Sequence, residues 1–244
     1  MLKNFFINLR LFISPFFLNR FYLARDISKI LKAIKLEGKL IDIGCGQKPY
    51  KKMFMKRFPQ LQYLGIDFPM FSLNKDFNAS KPDFYFNSKY LENFTLPFKS
   101  NCFNHVVSFQ VMEHHKKPEI FIKEIVRIVK RGGYIIISFP FIWGLHELPS
   151  DYYRYTEFLI DNLLKANNCT IIKIFRQGTF LSTVSMLANE EINTFASKNW
   201  LNYVLSLFFY PFFLLYQYFC LFADFFISSN TVFFNYLIFA KKNG

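Results

Sequence analysis

Apolar positions along the middle of the chain follow two alternating periods. Ile27, Ile30, Leu31 and Ile34 fall at helical spacing within Asp26 to Leu36, with Asp26 placed to cap the start and Gly38 beyond the end. Leu40, Ile41 and Ile43 then make a short apolar run that breaks into Gly44-Cys45-Gly46, the pattern of a buried strand and the turn leaving it. The alternation continues. Residues 51–59 read as a basic helix closed by Pro59, Tyr63–Asp67 as a second strand and Phe84–Phe86 as a third. Phe103–Gln110 reads as a fourth strand and Pro118–Lys130 as an amphipathic helix ended by Gly132-Gly133. Tyr134–Phe139 makes a fifth strand, Thr156 caps a helix running to Lys165, and Cys169–Phe175 makes a sixth strand. Strands alternating with helices predict an α/β domain around a largely parallel sheet.

The two ends depart from this rhythm. Residues 4–24 mix Phe, Leu and Ile with Asn4, Asn8, Arg10, Asn19 and Arg20 and are divided by Pro15, too broken for a span but apolar and basic enough to lie on a membrane surface. A helix packed on the domain reads equally well. Residues 200–226 are nearly unbroken apolar sequence, long enough to cross a bilayer. Thr231–Ala240 then reads as a strand, and a single crossing would part it from its sheet. The segment is therefore expected to enter and return at Pro211 or to lie flat at the interface, where Trp200, Tyr203, Tyr210, Tyr216 and Tyr218 suit the depth. Two helices packed on the domain or on a second subunit is the other reading.

Charge sharpens this picture. The net charge of +13 is concentrated in residues 1–57, which hold 13 Lys and Arg against Asp26, Glu37 and Asp42. Such a field attracts nucleic acid or an anionic membrane surface. The apolar tail favours the membrane, and no RNA-binding module appears, so no nucleic-acid partner is expected. Cys45, Cys102, Cys169 and Cys220 show no CxxC and no regular spacing, which suggests neither a disulfide framework nor a zinc site and makes a reducing compartment the default. With no small-residue cleavage site after the apolar start, a signal peptide is not expected either. The location predicted is cytoplasmic, peripheral on the inner face of the cell membrane. The expected divisions are 1–25, a core over 26–178, an apolar helical insertion over 179–229 and a last strand and tail over 230–244.

The chemistry sits at the strand ends. Asp42-Ile43-Gly44-Cys45-Gly46 puts an acid at the end of one strand and glycines in its turn, where backbone can approach a ligand. Asp67 ends the next strand about twenty residues on, where a βαβ fold places a ribose-binding carboxylate. A dinucleotide fingerprint would need a third glycine where Pro49 stands. With Leu96-Pro97-Phe98, Glu113-His114 after the fourth strand and the element VKRGGYIIISFP, these motifs make the chain similar to the class I S-adenosylmethionine-dependent methyltransferases, in their type 11-like branch. Asn104 and Arg131 replace an Asp and a Pro of that pattern.

The resemblance implies a Rossmann-like seven-stranded sheet, mostly parallel with the last strand antiparallel between the fifth and sixth, and the apolar insertion before it. It implies S-adenosylmethionine as cofactor. Asp42 would support its amino end, Gly44, Cys45 and Gly46 would give backbone contacts, and Asp67 would bind the ribose. Phe68 would flank the adenine, Asn87 would meet its edge, and Gln110 would lie near the methionine part. The polar and aromatic stretch 143–156 follows a strand's carboxyl end and is the expected acceptor site, with Asp151, Tyr152, Tyr153 and Arg154 facing an anionic or sugar-bearing molecule. His146 and His114 are the candidate bases. Glu113-His114-His115 are adjacent residues, which seldom converge on one ion without a third ligand elsewhere, and no acidic cluster offers one, so no metal is expected.

The function predicted is methyl transfer to a small-molecule, saccharide or lipid-linked acceptor. A quinone or fatty-acyl acceptor, a non-catalytic membrane-associated protein that binds S-adenosylmethionine, and a two-span structural protein are the alternatives.

Overall fold

The computed structural model describes residues 14, 16–68, 81–86, 94–227 and 231–244. In chain order the elements are α1 (Phe17–Ala33), β1 (Lys39–Ile43), α2 (Lys51–Arg57), β2 (Gln62–Asp67), β3 (Phe84–Tyr85) and β4 (Phe103–Phe109). After a 3-10 turn at Met112–His114 come α3 (Pro118–Ile128), β5 (Val129–Pro140), α4 (Glu157–Ala166), β6 (Cys169–Gln177), α5 (Phe180–Ser197), α6 (Trp200–Ala223) and β7 (Asn235–Lys242). The seven strands lie in the order β3-β2-β1-β4-β5-β7-β6, mostly parallel with β7 antiparallel. This is the predicted Rossmann-like sheet with its late strand inserted beside β5.

By internal contacts the chain divides into two units. The larger, Asp26–Pro140, Leu145–Phe175 and Tyr236–Gly244, holds most of the sheet. Its middle strands are buried on both faces: Leu40, Ile41, Ile43, Val106, Val107 and Ile135 are almost wholly excluded from water. That burial explains why these strands read as continuous apolar runs rather than alternating ones. Parallel pairing sets Asp42 beside Gly65 and Ile43 beside Ile66, so the carboxyl ends of β1 and β2 finish together.

The smaller unit, Met1–Arg25, Phe141–Gly144 and Arg176–Asn235, contains the helical hairpin α5–α6. Thr179 opens α5 with a reciprocal cap, its amide donating to Ser182 Oγ at 2.7 Å, and the Asn199 side chain caps α6 through the Asn202 amide at 2.9 Å. The carboxylate of Asp224 just past α6 accepts from both Tyr22 and Thr179 hydroxyls. Phe17, Leu18, Tyr22, Met186 and Phe234 form the core there. The α6 helix is 24 residues long and apolar enough to cross a membrane, yet only 17% of its most apolar stretch is buried. Trp200, Phe208, Phe212, Leu215 and Phe222 are all exposed.

Three sequence expectations change here. Asp26 does not cap a helix: α1 starts at Phe17, and Asp26 lies fully buried in mid-helix with Lys29 Nζ on its carboxylate at 2.9 Å. An acid inside an apolar stripe looks like a boundary when only the sequence is read. Gly132-Gly133 does not end a helix; α3 stops at Ile128 and the glycines lie within β5, where the register against β4 shifts between Phe103 and His105. A Cβ on Gly133 would sit 2.3 Å from the Asn104 carbonyl oxygen, so the close strand approach is what requires glycine. Pro211, finally, makes no return, because α6 runs unbroken through it.

Candidate active site

The donor end is assembled from two strand ends and the turn between β1 and α2. The Gly46 amide donates to Asp67 Oδ2 at 2.9 Å and the Phe68 amide to Asp67 Oδ1 at 2.8 Å, so both carboxylate oxygens are fixed by backbone. Burial raises the Asp67 pKa against those two bonds, and the Glu147 carboxylate adds to the rise. Each oxygen keeps a lone pair for a further donor. Gly44 and Gly46 both have positive φ, for different reasons. A Cβ on Gly44 would strike Val111 at 2.3 Å, whereas one on Gly46 would meet nothing within 4 Å. The outer face of the turn is open to a ligand.

Asp42 is 2% exposed; its Oδ2 accepts from the Tyr63 hydroxyl, while its Oδ1 is buried with no hydrogen-bond partner among the described residues. Burial pushes its pKa up to about 7 despite the Tyr63 bond, and Asp67 adds to the shift. An unsatisfied buried acceptor is costly, about 1–3 kcal/mol, and marks a place where a donor or cation is missing. An orphaned acceptor, an open turn and a pre-aimed carboxylate together fit a ligand with a cationic end and vicinal hydroxyls.

Sequence reasoning missed three contributors at this end. Tyr63 partners Asp42 from the neighbouring strand. Lys48, held at φ +53, donates to Asp83 Oδ1 at 2.6 Å, and Asp83 Oδ2 accepts the Gly65 amide at 2.7 Å. The Lys48 stem lies across Gly65, where a Cβ would meet it at 2.8 Å. Nothing local in sequence pairs residue 48 with residue 83; the pairing of β3 with β2, which sets the Asp83 amide on the Gly65 carbonyl at 2.7 Å, brings Asp83 to the turn after β1. Of the other expected donor contacts, Cys45 is buried with its thiol pKa pushed up by desolvation. Phe68 is buried among Phe86, Phe94 and His115, and Gln110, at φ +57, donates from its side chain to Ser138 Oγ at 3.1 Å. Asn87 lies outside the described residues.

Leu145–Tyr155 docks on the 3-10 turn after β4. The Tyr152 amide donates to the Glu113 carbonyl at 3.0 Å and the buried Tyr155 hydroxyl to the Met112 carbonyl at 2.9 Å. Asp151 and Arg154 form a two-pronged ion pair, 2.7 Å on each arm. The Asp151 carboxylate also takes the His146 amide at 3.1 Å and lies 3.3 Å from His146 Nδ1. Burial alone would raise Asp151; the bonds from Arg154 and His146 outweigh it and hold its pKa below the usual value. Tyr152 and Tyr153 are part-exposed. His114 and His146 meet edge to face with ring centroids 5.0 Å apart.

The fold adds a neighbour at this end that the sequence did not offer. Beside Glu113 and His114 a third metal-ligating group does exist: it is His146, brought in by the loop, and the three offer ligand atoms within 4.8 Å of one another. His115 turns away to pack on Phe94 and Phe121, and burial holds its pKa down to about 3. A separate cavity of about 560 Å³ lies at the amino ends of the strands, lined by Lys39, Gln62, Pro97 and Phe98, remote from these groups.

Residues 41–137 match the protein family described as a methyltransferase domain. That stretch is similar to the methyltransferase domains of this family, and the sheet around it has their class I fold. Over 131 residues the chain is 27% identical to an uncharacterised methyltransferase of Schizosaccharomyces pombe, half of this chain and 47% of that protein. It thus spans about half the length of the curated relative it matches. In fold it is similar to phosphoethanolamine N-methyltransferase 2 of Haemonchus contortus, solved with phosphomonomethylethanolamine and S-adenosylhomocysteine (TM-score 0.53, 20% identity, 91% of this chain and 52% of that). A protein of Galdieria sulphuraria described as a sarcosine dimethylglycine methyltransferase is another neighbour (TM-score 0.57, 14% identity, 91% and 83%). The matched stretch contains Asp42, the glycine turn, Asp67 and Glu113-His114; the docked loop lies beyond its boundary.

Proposed function

We propose that the chain transfers a methyl group from S-adenosylmethionine to a small-molecule acceptor, saccharide or lipid-linked, at the cytoplasmic face of a membrane. The observation that carries the reading is the donor end itself: an orphaned buried Asp42 oxygen beside an open glycine turn, with Asp67 held ready by two amides. When bound, S-adenosylmethionine supplies a sulfonium methyl whose in-line transfer leaves a neutral thioether. Asp42 and the turn 44–46 receive the amino acid end, Asp67 the ribose hydroxyls, and Phe68, Asn87 and Gln110 the remaining contacts. On the other side, Tyr152 and Tyr153 line the acceptor position. Asp151 and Arg154 anchor the loop and hold His146, which accepts the acceptor's proton with His114 beside it.

A small-molecule acceptor is supported by the Haemonchus neighbour, which is solved with phosphomonomethylethanolamine, a molecule of that size. A lipid-like acceptor and a membrane surface are supported by the exposed apolar face of α6 and the basic first quarter of the chain. A quinone or fatty-acyl acceptor suits that face as well. Calorimetry with S-adenosylmethionine tests the donor: micromolar binding is expected, and none in folded protein would overturn the assignment. Vesicle sedimentation tests the surface. Binding to anionic vesicles but not neutral ones is expected, and loss of it in Phe208→Glu/Phe212→Glu would locate the contact on α6.

A further inference from the structure

The adjacent Glu113 and His114 and, from the docked loop, His146 converge in one place, and one of them is in an untenable state on its own. Glu113 is completely buried, and neither of its carboxylate oxygens has a hydrogen-bond partner among the described residues. A buried carboxylate in that state must hold a proton or pair with a cation. What faces it is imidazole. His114 Nε2 lies 3.9 Å from Glu113 Oε1 and 3.5 Å from Glu147 Oε2. Its other nitrogen, Nδ1, is 2.7 Å from the Ser150 carbonyl oxygen, which can only accept, so the ring proton sits there and the Nε2 lone pair points at the carboxylates. His146 joins from the loop with Asp151 behind its Nδ1 at 3.3 Å. A carbonyl behind one imidazole and a carboxylate behind the other are the outer partners that orient metal-binding histidines.

We propose that Glu113, His114 and His146 form a binding site for a divalent transition-metal ion, with Glu147 at its exposed edge. One carboxylate and two imidazoles are a donor set for zinc or a similar borderline ion, and three protein ligands leave a coordination position open. The present separations, up to 4.8 Å, are wider than those around a bound ion, so the loop carrying His146 moves inward when the site fills. The site lies next to the acceptor position proposed above and rests on that reading only for its use. There the ion would lower the pKa of an acceptor hydroxyl, and His146 would serve as ligand in place of base.

The experiment is metal binding by the full chain after chelator treatment, with Zn²⁺ in competition with a chromophoric chelator and Co²⁺ followed by its visible spectrum. One ion per chain is expected, with nitrogen and oxygen ligation and no thiolate charge-transfer band. Glu113→Gln and His146→Ala should each weaken binding by more than about tenfold. S-adenosylmethionine affinity, measured in the same samples, should stay within about twofold, which reports folding and separates this site from the donor assignment. If Glu113→Gln does not fold, His146→Ala in the loop decides alone. No ion in folded wild type, a thiolate spectrum, or undiminished binding in His146→Ala would overturn the proposal. Metal binding without donor binding would leave it standing and sink the methyl-donor reading instead.

Discussion

The two ends of the candidate site are built from different materials. At the donor end the decisive partners are backbone: the amides of Gly46 and Phe68 on Asp67, and a glycine turn whose shape comes from φ. At the acceptor end they are side chains drawn from separate segments, with Arg154 on Asp151, His146 against His114, and beneath them Glu113, whose carboxylate has no hydrogen-bond partner among the described residues. Backbone donors are placed by strand ends and need only a short motif. Side-chain clusters depend on how a loop docks, and the same fold can change them without disturbing the sheet. The donor end should therefore fail abruptly when altered, and the acceptor end by degrees.

The sharpest break is at Asp67. Asp67→Ala removes both prospective charge-assisted bonds to ribose hydroxyls, each about 1.5–3 kcal/mol. Donor affinity should fall by about a hundredfold or more in calorimetry, and retained affinity would refute its assigned role. The glycines separate shape from space. Gly44→Ala meets Val111 at 2.3 Å and a left-handed φ of +69, and should cost about 3 kcal/mol of stability in denaturant titration. Gly46→Ala meets nothing and should cost only the backbone strain, about 1 kcal/mol. Val111→Ala should recover part of the first loss and none of the second.

Asp42 gives the donor end a pH signature. Its carboxyl has a reference pKa of 3.8 and is raised to about 7 in the fold, mainly by burial. Between those values the folded chain holds a proton that the unfolded chain has released, so this residue's contribution to stability falls as pH rises from about 4 to about 7 and levels off above. Asp42→Asn should remove that slope. Thermal midpoints of the two proteins should diverge across this window, with the variant gaining relative to wild type as pH rises; parallel curves would contradict the buried, shifted state.

The same difference of material decides what could be read from sequence. Leu40–Asp42, the glycine turn and Asp67 were legible because a strand end, a tight turn and a second strand end are local patterns at a readable separation. The place of the late antiparallel strand between the fifth and sixth followed from the family resemblance. Asp26 misled because a buried acid paired with Lys29 looks the same in sequence as a helix cap. Gly132-Gly133 misled because glycine serves helix ends and close strand approach alike. Lys48 with Asp83, Tyr63 with Asp42, and His146 with Glu113 were invisible: each depends on register or loop docking, and no spacing rule joins residues 33 positions apart on a strand end and a loop.

The smallest effect tests how the loop is held. Tyr155 is 1% exposed, its ring edge-on to Phe139 and parallel to Tyr153, and its hydroxyl donates to the Met112 carbonyl at 2.9 Å. Tyr155→Phe keeps the packing and deletes one buried hydrogen bond, leaving that carbonyl with the His115 amide at 3.1 Å, so stability should drop by about 1 kcal/mol. The Met112 carbonyl belongs to the turn that carries Glu113 and His114, while the Tyr155 backbone continues the loop that carries His146. Loosening that tie should leave donor affinity unchanged and raise the acceptor's KM, because Asp67 and its amides do not touch Tyr155. Equal losses on both sides would mean that the two ends are one cooperative unit, and the division between backbone-built and side-chain-built halves would not hold.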